Sequence, residues 1–394
     1  MSELGRLKVG MFMAPYHQPH ESPTLAFERD LELIEWMDDL GYDNCFVGEH
    51  HSGGWETIAD PCIFVAAAAE RTKNITLGTG VLSLPYHHPL MVAERVNQLD
   101  HMTRGRFVLG VGPGGLVNDA YMMGIPAEVQ RERMYDALNV IMRLLRGETV
   151  TSKTDWYELN EGRTQLLPYS EPHVKVFVTS LISPSGLILA GREGIGVLSL
   201  PNLVAAPPKP LDEWWPICEE EAEKNGKQVD RSNWWMGCPL YIAETREKAF
   251  EDVRAGANAF YKGYLHDTLG GPLGGEDGVD ELDAAIARKG CIVGTPDDAI
   301  EQIQDMQKRS GGFGGFLHGY QEWTTRENIL KSHELFSRYV MPELHGHSDF
   351  IRKSGDWVRL RQEAIFGTQP EIMRKEYEKA GQEVPEAFVT ADEG

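Results

Sequence analysis

The residues of this chain best suited to chemistry sit in a few short runs. Glu49-His50-His51 is the first. Histidine is the side chain whose ordinary pKa lies near neutrality, so either ring suits acid–base work or hydrogen bonding. Neighbours on a strand point to opposite sides, so only one of the two can face a given site. Further histidines stand at His17, His20, His87 and His88. No HExxH pattern or spaced carboxylate completes a ligand set, so no metal is expected. Gly110, Gly112 and Gly115 satisfy GxGxxG, and Asp136 follows about 20 residues on. Pro113 interrupts that run, it follows a fourth predicted strand, and Asp136 falls inside a predicted helix. A dinucleotide site is therefore not expected. Two readings of the glycines stay open: a loop that lets backbone approach a flat ligand, or a tight strand-to-helix turn. Thr179-Ser180 and Ser183-Pro184-Ser185-Gly186 are polar, flexible runs of the same kind. There is no GxSxG and no P-loop lysine motif, and these residues by themselves name no reaction.

Elements must hold these runs in place. Apolar runs predict strands over 7–13, 45–48, 75–80, 106–111, 174–178, 195–200, 235–243 and 313–317. Helical periodicity lies between them. After Ser22 and Pro23, for example, Phe27, Leu31, Ile34 and Met37 share one face until Gly41. Other helices are predicted over 59–71, 91–102, 129–146, 185–192, 214–224, 246–260, 296–308 and 327–339. Strands alternating with helices predict an α/β fold, a (β/α)8 TIM barrel with insertions over residues 1–345. A doubly wound sheet is the competing topology. Residues 346–394 are charged, and Trp357, Leu360 and Ile365 predict a C-terminal helical extension. In a barrel, function gathers at the C-terminal ends of the strands. All the runs above fall at such ends.

Composition narrows the partners. The chain has 394 residues, 41% hydrophobic and 25% charged, with a net charge of −22. That balance argues against nucleic acid or an anionic membrane as a partner. No apolar run reaches the roughly 18–20 residues of a membrane span. The Met-Ser-Glu-Leu start has no leader character, and a cytoplasmic location is expected. The five cysteines are scattered without a CxxC, which predicts reduced thiols filling the core.

The same runs carry a resemblance. Val47-Gly48-Glu49-His50-His51, residues 75–81, Leu84-Pro85-Tyr86-His87-His88-Pro89, residues 110–115, Ser183-Pro184-Ser185 and Val293-Gly294-Thr295-Pro296 resemble the bacterial luciferase-like, flavin-dependent monooxygenases. The likeness runs in order over residues 7–342. Ser52-Gly53-Gly54-Trp55-Glu56, residues 143–150 and residues 310–314 look most like limonene monooxygenases, with Baeyer–Villiger enzymes of the diketocamphane type as neighbours.

The resemblance implies a barrel that takes reduced flavin (FMNH2 or FADH2) from a separate NAD(P)H:flavin reductase. It implies oxygenation of a small apolar, terpene-like substrate through a flavin C4a-(hydro)peroxide. His50 would serve catalysis. Gly80-Val81, as a non-proline cis peptide, would lie under the flavin ring, with Gly112 beside it. Arg131, Ser183, Ser185 and Gly186 would hold the phosphate. A bidentate arginine and helix-start hydroxyls suit a dianion in so acidic a chain. Luciferases carry a cysteine and then an arginine where this chain has Gly112-Pro113, so Arg131 has more to do. Without the resemblance, Arg131 reads as a solvated charge paired with Glu128 or Asp136. Met13, Trp55, Leu82, Leu84 and Leu116 are expected to line the mouth, and residues 269–279 to form a lid. A homodimer or larger homo-oligomer is expected. The alternatives are a Baeyer–Villiger enzyme of cyclic ketones, a deazaflavin (F420)-dependent oxidoreductase of the same fold, and a non-catalytic flavin-binding protein.

Overall fold

The computed structural model describes residues 6–14, 16–181, 183–203, 209–271 and 279–388. Two compact units divide the chain, Met1–Leu344 and His345–Gly394. In the first unit the strands are β1 (Lys8–Met13), β2 (Asn44–Val47), β3 (Thr76–Thr79), β4 (Leu82–Ser83), β5 (Phe107–Gly112), β6 (Val150–Lys153), β7 (Glu158–Gly162), β8 (Lys175–Thr179), β9 (Gly196–Ser199), β10 (Trp234–Ile242), β11 (Ile292–Gly294) and β12 (Gly315–Tyr320). Parallel pairing runs β1, β2, β3, β5, β8, β9, β10, β12 and back to β1. The sheet therefore closes, which excludes the doubly wound alternative. β4 adds to β5 and β11 adds to β10, while β6 and β7 form an antiparallel hairpin of their own.

The helices that position the site are α1 (Pro23–Asp39), α2 (Pro61–Arg71), α3 (Pro89–Thr103), α4 (Val117–Met122), α5 (Gln130–Leu145) and α6 (Ser185–Glu193). Proline opens the first three, where its missing N–H costs nothing. Asp60 caps α2 by accepting from the N–H groups of Cys62 and Ile63. Ser22 stands at the N-cap of α1, but its side chain makes no capping bond.

Side chains fill the barrel. Phe46, Val108, Phe177, Leu198, Trp235 and Leu317 form one interior cluster. Glycines on neighbouring strands make room for the rings. A Cβ on Gly315 would stand 2.1 Å from the Trp235 indole, and one on Gly196 would stand 2.4 Å from the Phe177 ring. Both distances are far inside van der Waals contact, so larger residues there would force the rings out of place. A second, larger core lies between strands and helices and includes Val9, Met11, Ile34, Val65, Leu109 and Ile141. With the interior packed, chemistry is left to the strand ends.

Several elements differ from the sequence expectation. The last strand lies at Gly315–Tyr320, two residues beyond the expected start. The hairpin β6–β7, the short β4 and β11, α4 and the helix Glu281–Ala287 were not expected, because each is too short or too polar to show a period. The helix Arg246–Asn258 continues as a π-helical segment, Ala259–Thr268, which brings Phe260, Tyr261 and Tyr264 into a third core cluster. Of the expected lid, residues 272–278 lie outside the described residues.

The second unit holds the helices His347–Arg359, Gln362–Phe366 and Gln369–Lys379. None of the three buries a side chain. All five cysteines of the chain are free and buried. Among the described residues no helix is long and apolar enough to cross a membrane.

Candidate active site

β2 ends at Val47, and the next residues cross the strand ends. Gly48 donates its N–H to the Met13 carbonyl, and His50 donates its own to the Ile58 carbonyl. The His50 ring then lies between two carboxylates. Its Nε2 is 2.6 Å from Glu56 Oε2, and its Nδ1 is 3.3 Å from Asp119 Oδ2. Glu56 comes from the same loop, Asp119 from α4. Asp119 also accepts from the His51 backbone N–H at 3.2 Å and from the Ser52 hydroxyl. Asn118 in turn donates to Ser52 Oγ at 2.8 Å. Burial works against the charged form of His50. The charge of Glu56 and the Asp119 contact outweigh it, and the ring is pushed up to about 10.

His51 takes a different partner, as the alternation along the chain requires. His51 Nε2 lies 2.9 Å and His87 Nε2 2.7 Å from the same Glu49 Oε1. Ser83 donates its N–H to the other Glu49 oxygen at 2.5 Å. Burial alone would raise the Glu49 carboxyl, but the His51 and His87 contacts hold it below the usual range.

Beside this cluster, glycines let the strand ends pack closely. The Gly80–Val81 peptide is cis, as the resemblance implies. A Cβ on Gly80 would be 2.7 Å from Phe46 Cβ, and one on Gly112 would be 2.6 Å from Val81 Cγ2. Gly115 faces His50, with 3.8 Å between the position of a Cβ and the ring carbon Cε1. Gly110 is pinned to β3, where Thr79 Oγ1 donates to its carbonyl at 2.7 Å. A Cβ there would meet the Thr79 carbonyl at 2.1 Å. The GxGxxG spacing thus reflects close strand packing at one end and a bare loop at the other.

The phosphate candidates occupy two helix starts. At α6, Ser183 Oγ and Ser185 Oγ are 2.7 Å apart, and the Ser180 hydroxyl donates to the Ser183 carbonyl. Gly186 sits so close to Thr179 that a Cβ would be 2.1 Å from its carbonyl oxygen. At α5, Gln130 donates to the Pro113 carbonyl at 2.9 Å, which ties this helix start to the glycine loop. Arg131 is the next residue. It is exposed and has no ion pair among the described residues, so the pairing with Glu128 or Asp136 does not form.

The residues expected at the mouth differ in burial. Met13, Leu82 and Leu84 are 0% exposed and belong to the main core. Apolar residues at a strand end look alike in sequence whether they face a cleft or a packed core. Trp55 and Leu116 are half-buried. Trp55 instead joins an aromatic group: its ring stacks on Tyr16 at 5.5 Å and tilts against Tyr264 at 5.8 Å. Phe260 meets Tyr16 edge-on at 5.1 Å. Sequence reasoning gave no role to Asp119 or Tyr264, and Glu56 entered only as part of a matching run. An acid four residues beyond a glycine loop was the one available signal for Asp119.

A filled (β/α)8 barrel with titratable groups gathered at its strand ends is the architecture of an enzyme, with its site in the loops above the strands. Residues 7–312 match the family described as luciferase-like monooxygenase. The chain is 44% identical over 345 residues to limonene 1,2-monooxygenase of Rhodococcus erythropolis, covering 87% of this chain and 88% of that one. It is 42% identical over 362 residues to 4-hydroxyprotoasukamycin monooxygenase of Streptomyces nodosus subsp. asukaensis, covering 90% and 96%. The fold is similar to the oxygenating constituent of 3,6-diketocamphane monooxygenase from Pseudomonas putida, solved in complex with FMN. That match has a TM-score of 0.71 and 23% identity, over 86% of this chain and 98% of the other. The protein belongs to the luciferase-like monooxygenase family: it is a flavin-dependent oxidoreductase that incorporates O2.

Proposed function

We propose that this protein is the oxygenase component of a two-component system. It takes reduced flavin from a separate NAD(P)H:flavin reductase and oxygenates a small apolar, terpene-like substrate. The observation that carries the reading is His50 facing Gly115 of the glycine loop, with the cis Gly80–Val81 peptide at the adjoining strand end. A flat ring system can approach backbone only where side chains are missing.

The residues present fit a flavin. Hydroxyls of Ser183 and Ser185 at the start of α6 and the unpaired Arg131 at the start of α5 suit a phosphate dianion. When bound, reduced flavin supplies two electrons and activates O2. The chain's own residues do the rest. His50 holds a proton at the strand ends, the ring group of Tyr16, Trp55, Phe260 and Tyr264 excludes water, and the glycine loop orients the ring. The name of the R. erythropolis relative supports a terpene-sized hydrocarbon.

The test is a product screen. The protein, FMN or FAD, NADH, an added flavin reductase and O2 are supplied with a panel of cyclic terpenes and cyclic ketones. An oxygenated terpene that forms only with all components present is the expected result. If no panel compound is oxygenated above the free-flavin background while flavin binds, the reading fails.

A further inference from the structure

Three segments of the first unit meet around a cleft of about 830 Å3. Lys209 and Asp212 come from the connection between β9 and β10. Arg288 and Lys289 follow the helix Glu281–Ala287, and Asp305, Lys308 and Arg309 lie towards the end of the helix Pro296–Ser310. Five cations thus face two carboxylates, in a chain whose net charge is −22. We propose that this cleft binds a nucleoside diphosphate, at a site that shares no residue with the strand-end cluster.

A helix end explains only part of the charge. Lys308 and Arg309 stand in the last turn of their helix, where its dipole favours cations. The other three cations come from elsewhere in the chain and converge on the same space. The carboxylates do not use them up. Asp305 alone serves both Lys289, at 2.7 Å, and Arg309, at 2.8 Å. Lys209 is 3.9 Å from Glu213, and Lys308 has no ion pair among the described residues.

Arg288 gives the cleft a fixed donor. Its guanidinium lies over the Tyr261 ring, 5.2 Å from the ring centre. Nε donates to the Asn202 carbonyl at 3.2 Å and Nη2 to the Leu203 carbonyl at 3.3 Å. Nη1 is buried and has no partner among the described residues. An unpaired buried donor is unfavourable, and an anionic oxygen is the acceptor that best relieves it. A guanidinium held in place with an N–H group to spare suits the fork geometry of a phosphate.

Size and charge select the ligand. The volume is that of a small-molecule site, and a lone phosphate would leave most of it empty. A terminal phosphate carries about two negative charges near neutral pH, and the inner phosphate adds about one more. That matches a surplus of three cations in the cleft. Pro210 and Ala287 line it, are exposed, and offer apolar area to the sugar or base. A cleft of one sign also gathers anions against the repulsion of an acidic chain. The same diphosphate group occurs free, as in ADP, and within dinucleotides.

The test is calorimetric titration of the full chain, without flavin, with ADP, AMP and NADH. ADP is expected to bind once per chain with a Kd below about 1 mM at low salt. AMP should bind at least about tenfold more weakly, the effect of losing one charge-assisted hydrogen bond. Raising the ionic strength from about 0.05 M to about 0.3 M should weaken ADP. Lys209→Glu combined with Lys308→Glu replaces two exposed side chains and should weaken ADP by about tenfold or more. Arg288→Lys keeps the charge, loses the fork and should do the same. If Arg288→Lys fails to fold, the surface pair decides. Arg131→Ala should leave ADP binding unchanged. No ADP binding up to about 1 mM, equal affinity for AMP, or an affinity that neither cleft variant moves overturns the proposal. ADP binding lost in Arg131→Ala overturns it too, because the nucleotide then occupies the strand-end site. NADH bound more than about tenfold tighter than ADP assigns the group to a dinucleotide, and otherwise to a free nucleotide; the cleft stands in both cases.

Discussion

Two histidine groups of this barrel have opposite character, one half-buried at the strand ends and one fully buried in the wall. At the strand ends His50 lies between Glu56 and Asp119, and it is pushed up to about 10. In the wall, His318 on β12 and His333 on the helix Arg326–Leu335 stack with 4.2 Å between ring centres. The Tyr42 hydroxyl lies 3.2 Å from Nδ1 of one and 3.1 Å from Nδ1 of the other. His318 Nε2 is 3.1 Å from the Leu240 carbonyl oxygen. Among the described residues no carboxylate pairs with either ring. Burial pushes His318 down to about 3 and His333 well below its ordinary value. A single neutral tautomer of each ring satisfies these contacts, whereas His50 lies between two carboxylates. The charges around the rings, and not burial alone, set these two groups apart.

Replacing the two kinds of ring should separate them. His50→Ala is expected to keep the fold and flavin binding and to lose oxygenation by about 10²–10⁴-fold, the range for a positioned proton donor. His51→Ala should cost less, because its ring serves Glu49. Product yield coupled to NADH use measures both, and full yield from His50→Ala would remove the distinction. Arg131→Ala comes next. It should weaken reduced FMN by about 1.5–3 kcal/mol, the value of a hydrogen bond to a charged group. Riboflavin binding should barely change. Equal losses for FMN and riboflavin would place Arg131 away from the phosphate.

Acid should reveal the wall pair. Both rings bind protons more weakly folded than unfolded, so the unfolded chain gains protons first once pH falls below about 6.5. Stability then falls with pH, by up to about 1.4 kcal/mol per pH unit for each ring. Glu322, pushed up to about 7 by burial, works in the opposite sense over the same window. His50 has the reverse sign to the wall pair. Its contribution is whole below the unfolded value of about 6.5, falls as pH rises above that, and is gone once pH passes about 10. Urea midpoints between about pH 7 and about pH 5 should show a shallower slope in His333→Asn than in the wild type. Equal slopes would mean that the wall ring is not neutral when folded.

The two groups were not equally legible in the sequence. The barrel was, because each strand–helix unit announces itself by local period, with prolines at helix starts. His50 was singled out because it stands at a strand end in a matching run. Its carboxylate partner Asp119 was not, since 69 residues separate the two and no local pattern links them. The wall pair escaped for the same reason: Tyr42 meets His318 across 276 residues. Met13, Leu82 and Leu84 were placed at the mouth because their position along the strand is visible in sequence and their direction is not. The glycines were noticed at once, but that a Cβ on Gly110, Gly112 or Gly80 would strike Thr79, Val81 or Phe46 shows only in the packing.

The most direct test of the central claim is a single turnover without any reductase. FMN reduced by light under argon is mixed with the protein, the best substrate of the terpene panel and 18O2, with no nicotinamide present. The account predicts one 18O atom per product molecule and no product when reduced FMN is left out. Substrate that binds but stays unoxygenated, or product whose oxygen comes from water, would contradict it.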